Sequence, residues 1–132
     1  MKKTALILFA LFSTFSLLAN DHPVTYPLVV KFQSFSSGVP DAKPMFACIA
    51  SFKKKYKIKK ISYDRLGPMG REGEYIMAFR LEEMTKAKAA IFIKEVKKVV
   101  AKMKDNGSAD TEQDYKFDSA EWPNIKPEKK SI

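Results

Sequence analysis

Residues 56–83, YKIKKISYDRLGPMGREGEYIMAFRLEE, decide how this chain is read. In the second half Tyr75, Met77, Phe79 and Leu81 alternate with Glu74, Ile76, Ala78 and Arg80. That period of two sends the first set to one face of a sheet and the second set to the other. In the first half Ile61 and Tyr63 face one way, and Lys60, Ser62 and Asp64 the other. Between the halves, Gly67, Gly70 and Gly73 suit a turn with positive φ. The stretch is therefore expected to be a β-hairpin.

Outward from the hairpin, the neighbouring segments read as its cover. Upstream, LVVKFQSF over Leu28–Phe35 alternates as a strand, with Leu28, Val30 and Phe32 on the core side. Asp41 is expected to cap a helix over Ala42–Lys55, whose Met45, Cys48, Ile49, Phe52 and Tyr56 share one face. Pro44 is tolerated in its first turn, and Lys53, Lys54 and Lys55 complement the negative end of its dipole. Downstream, Thr85 can cap a helix over Lys86–Lys104, with Ala89, Phe92, Ile93, Val96, Val100 and Met103 as an apolar stripe. Asn106-Gly107 is expected to end it, and the sequon formed with Ser108 is read as part of that cap.

The resulting order is a ferredoxin-like βαββα(β) sandwich of the α+β class, an antiparallel sheet with two helices on one face. The domain is expected over 27–107. Residues 108–132 read as a flexible tail with prolines and lysines, Tyr115 and Phe117 allowing a short edge strand over 114–118. The sheet face away from the helices would be open, carrying Val29, Phe35, Ile76 and Ala78 among charges as a surface for a homodimer or a partner.

The first 19 residues, MKKTALILFALFSTFSLLA, read as a secretory signal peptide: Lys2 and Lys3 precede an apolar run, and Ala19 stands at the cleavage position. The expectation is export, to the periplasm or the medium. No later stretch is long or apolar enough to span a bilayer. One cysteine, Cys48, offers no internal disulfide and reads as a buried thiol, with an intermolecular disulfide or a reactive thiol as the alternative.

The formal net charge is +9. Basic residues outnumber acidic ones 18 to 7 over 22–104, whereas 105–132 carries 4 against 7. A basic body attracts polyanions in a salt-dependent way. Its candidate binding residues are Lys53, Lys54, Lys55, Lys57, Lys59 and Lys60, with Arg65 and Arg71 beside the turn. The other reading of the lysines is a solubilising strand edge.

Residues 72–79, EGEYIMAF, resemble the third-strand signature of the RNA-recognition motif, which would imply bases stacked on sheet aromatics. In this register Glu74 and Ile76 occupy the stacking face, and Tyr75 and Phe79 point towards the helices. That argues against nucleic acid as partner. The G-x-x-G of 67–70 joins two strands rather than the two helices of a KH domain. His22 and Cys48 are too few for a metal site, and no cofactor is expected. His22 lies far from a scaffold that could position a nucleophile, and Asp64, Glu72 and Glu74 have Arg65 and Arg71 beside them as surface ion-pair partners. No enzyme is expected. Two functions remain: an exported non-catalytic binding module with a basic edge, whose partner is an anionic surface or an acidic protein, or a protease-inhibitor or propeptide-like protein offering 108–132 to a cleft.

Overall fold

The computed structural model describes residues 23–132; the segment read as a signal peptide and His22 lie outside them. The elements run β1 (Val24–Ser34), α1 (Lys43–Tyr56), β2 (Ser62–Leu66), β3 (Tyr75–Phe79), α2 (Lys86–Val100), β4 (Gly107–Phe117) and β5 (Glu128–Ser131). The strands form one antiparallel sheet in the order β4-β1-β3-β2-β5. Among the described residues the fold is α+β with five strands and two helices, one strand more than the sequence plan contained.

Alternation in the hairpin does what the sequence implies. Tyr63, Met77, Phe79 and Leu81 enter one core with Leu28, Val30 and Phe32 of β1. Met45, Ile49 and Phe52 of α1 and Phe92, Val96 and Val100 of α2 close over it, so both helices cover the same sheet face. Phe92 lies edge-on to Phe52 and Phe79, with ring centroids 5.2 and 5.5 Å away. Such pairs add roughly 0.5–1.5 kcal/mol beyond the area they bury. The turn uses its glycines as expected at two positions: Gly67 has φ 137° and Gly73 φ 79°.

Capping differs in detail. Ala42, not Asp41, is the N-cap of α1, and the Asp41 carboxylate accepts instead from the Lys43 N–H at 3.0 Å. Thr85 caps α2 by accepting from the Lys88 N–H at 3.3 Å. The α2 helix stops at Val100 rather than Lys104, and a tighter turn follows in which the N–H groups of Lys102 and Met103 reach back three residues. Asn106 takes the left-handed residue with φ 60°, and Gly107 opens β4. Gly107 is needed for space: a Cβ there would lie 2.0 Å from the Gln33 carbonyl oxygen.

The larger correction concerns 108–132. Instead of a flexible tail with a short strand over 114–118, β4 pairs with β1 from Val24↔Phe117 to Ser34↔Gly107. A strand at the rim of the sheet can stay polar, because its backbone bonds come from β1 and Asp110, Glu112, Asp114 and Lys116 remain solvated. Residues 128–131 then pair as β5 with β2. Ile132 exchanges two backbone bonds with Ile61 just beyond. The lysines near β2 therefore do not guard a free edge; Lys129 and Lys130 occupy the edge instead.

The sheet face expected to be open is covered. Val29, Ile76 and Ala78 are buried with Tyr26, Leu66 and Phe117, and Met69 from the turn and Ile125 from the connection lie against them. Phe35 alone of the expected apolar quartet is exposed, at 74%. Strand β1 serves both cores by alternation, Val29 facing the second and Leu28, Val30 and Phe32 the first, and that alternation changes phase at Pro27. Tyr26 joins the second core and Leu28 the first, and opposite the break Asp114 has φ 52°. Proline lacks the ladder donor, which makes that position the natural place for the break.

Candidate functional site

The structure places the sequence-derived lysines around the end of α1 and the approach to β2, and sets the two arginines apart from them. Lys53, Lys54 and Lys55 form the last turn of α1, and Lys57, with φ 54°, is its left-handed cap. Lys59 and Lys60 lead into β2. Arg65 is half-buried within β2, its guanidinium 4.3 Å from the Tyr75 ring centroid, a cation–π contact. Arg71 is exposed in the turn beyond the other end of β2. One group of six lysines thus stands at the start of β2, and the two arginines lie along and past the strand.

The hairpin carboxylates also separate. Asp64 is 3% exposed and sits on the second-core face. Its Oδ2 accepts from the Tyr26 hydroxyl at 2.7 Å and from Arg80 Nη2 at 3.0 Å. Glu72 accepts from the Ser34 hydroxyl at 3.3 Å and Glu74 from the Ser34 N–H at 3.1 Å. The ion-pair partner of Asp64 is therefore Arg80, opposite the hairpin turn, and not Arg65. Residues on three neighbouring strands or their ends meet here, and the two donors share one oxygen.

Proton equilibria follow from these contacts. Burial, then the Asp64 hydrogen bond, pushes the Tyr26 phenol far above its ordinary value of 10.0. The bond to Asp64 likewise raises Arg80, against some desolvation. Burial raises Tyr75. Cys48 is half-buried; desolvation, then the nearby Glu95 charge, raises its thiol, which disfavours the reactive thiolate.

Two recesses flank Arg80. One, of about 340 Å³, lies beside the Asp64–Arg80 pair and is bordered by residues of β2, β5 and 80–83, with Lys60, Lys129 and Lys130 among them. It mixes these cations with Glu82 and Glu83, and Glu83 accepts from the Ser62 N–H at 2.7 Å. The other is a groove of about 840 Å³ along α2. Its floor is apolar, from Pro27, Leu81, Met84, Ala89, Ala90 and Ile93. Lys86, Lys94, Lys97 and Lys98 border it, all exposed, Arg80 and the exposed Glu82 also line it, and Lys97 Nζ donates to Gln113 Oε1 of β4 at 2.6 Å. Such a groove can take a partner that is apolar at its centre and anionic at its margins.

The four lysines carry no motif that singles them out in the sequence. The signal was in the helix itself: Lys86, Ala90, Ile93 and Lys97 recur at helical steps, giving a small apolar strip between cations. The opposing walls, Pro27 and 81–84, come from distant segments.

Among the described residues no cluster of His, Cys, Asp and Glu could hold a metal ion. No helix among them is long and apolar enough to cross a membrane. No protein-family model, curated protein or solved structure matches this chain.

Proposed function

We propose that this protein is a small exported binding module without catalysis, whose partner is an anionic surface or an acidic protein. The observation that carries the reading is the lysine-bordered apolar groove along α2, which sets an apolar floor beside exposed cations. The six lysines from Lys53 to Lys60 add a second cationic region. For the scaffold we infer a ferredoxin-like βαββαβ plan extended by an edge strand; the run β4-β1-β3-β2 supports it. The protease-inhibitor reading needs 108–132 free to enter a cleft, and those residues carry β4 and β5. That favours the binding module.

Chromatography of the mature chain on a sulfated-polysaccharide matrix tests the reading. Retention should fall steeply between low and moderate salt and be reduced in a variant with Lys86, Lys94, Lys97 and Lys98 changed to Gln. Retention that ignores both salt and those substitutions would remove the proposal. Changing Lys53, Lys54, Lys55, Lys57, Lys59 and Lys60 to Gln in a second variant divides the effect between the two cationic regions.

A further inference from the structure

The groove along α2 has a length, a floor and a charge pattern, and together they restrict what can lie in it. We propose that it takes an acidic amphipathic helix of a partner protein, about three turns long; this rests on the binding-module reading and names the partner class.

The charge spacing comes first. Lys86 and Lys98 are twelve residues apart on one helix, about 18 Å at 1.5 Å per residue. Lys94 and Lys97 stand between them, and all four side chains are exposed. A fatty acid or single-headed lipid carries its charge at one end and would leave most of this row unmatched. A peptide with carboxylates repeated along its length matches all of it.

The floor admits a helix. Leu81 is buried, and Met84, Ala89 and Ile93 are half-buried beside the lysines. Ala89 and Ala90 project little, so a second helix axis can approach within about 8–10 Å, and Ile93 offers one larger contact between them and Lys97. This is helix-in-groove recognition, in which apolar residues at three- and four-residue steps supply the anchors. The volume of about 840 Å³ suits the side chains from one face of such a helix.

The probe is a synthetic 14-residue peptide with leucines at three- and four-residue steps flanked by glutamates, carrying a fluorophore for anisotropy. A scrambled peptide of the same composition and vesicles of anionic phospholipid serve as the other arms. The ordered peptide should bind the mature protein at least tenfold more tightly than the scrambled one. Ala90→Glu puts a carboxylate on the floor at an exposed helical position, where folding is retained, and should weaken binding at least tenfold. The double variant Lys94→Glu, Lys97→Glu should do the same, and Lys43→Glu at the exposed start of α1, away from the groove, should leave it unchanged. Equal binding of ordered and scrambled peptides, insensitivity to Ala90→Glu, or binding of the vesicles alone would each overturn the proposal. If peptide binding fails while salt-dependent retention on the polyanion matrix persists, the helix partner falls and the general binding reading stands; if both fail, both fall.

Discussion

Replacing Tyr26 by Phe removes one hydroxyl from a fully buried site and leaves Asp64 with Arg80 as its remaining side-chain donor. A hydrogen bond to a charged acceptor contributes about 1.5–3 kcal/mol, so the variant should be less stable than the parent by about 2 kcal/mol at neutral pH. The difference should then shrink in alkali. The folded phenol titrates far above its ordinary 10.0, while in the unfolded chain it ionises near that value. Below pH 10 both states hold the proton and the contribution is complete. Above it the unfolded state releases the proton first, so stability falls by up to about 1.4 kcal/mol per pH unit until the folded phenol ionises too. Between pH 9 and 11 the parent should lose about 1.4 kcal/mol more than Tyr26→Phe. Lysine ionisation is common to both chains and cancels in the difference. Urea unfolding of both at pH 7, 9, 10 and 11 measures it, and absorbance at 295 nm follows the phenols directly. A stability gap that stays constant from pH 9 to 11, or a Tyr26 phenol that ionises near 10 in the folded protein, would refute the network as described.

Phe92→Ala should cost about 3–5 kcal/mol in denaturant unfolding, because the ring is fully buried between Phe52 and Phe79 and its neighbours cannot fill the void. Gly107→Ala should destabilise by about 1–3 kcal/mol in the same assay, the new methyl meeting the Gln33 carbonyl; a neutral result would mean that β4 is placed wrongly against β1. Cys48 should react with iodoacetamide at pH 8 more slowly than an unstructured thiol, and Glu95→Gln should speed it modestly; a rate equal to that of free cysteine would contradict the burial.

Much of the first core could be read in advance because each element carries its own pattern. The stripe of α2 and the alternation of β3 are local, and Phe92, Met77 and Phe79 meet where those patterns send them. The second core could not, because its pieces are isolated in sequence: Met69 lies among glycines, Ile125 between polar residues and prolines, and Tyr26 before the phase change at Pro27. None forms a period by itself. Strand β4 was hidden for a related reason. Of its residues only Gly107, Ala109 and Phe117 are buried, since a rim strand draws its backbone bonds from β1 whatever its side chains. The lysines of the groove were visible as charges, yet the concavity they surround needs Pro27 and Leu81 brought beside α2. Pairing between carboxylate and guanidinium was anticipated from proximity in sequence, whereas strand register selected Arg80 over Arg65 as the partner of Asp64.

The connection between β4 and β5 carries Trp122, the sole indole of the chain, 42% exposed beside the recess formed by Met69, Tyr75 and Tyr115. Its emission therefore has a single origin. Loosening of that crossing segment would shift the fluorescence to the red while the far-ultraviolet dichroism of the helices stayed constant, giving an optical signature for partial opening that no labelling is needed to obtain.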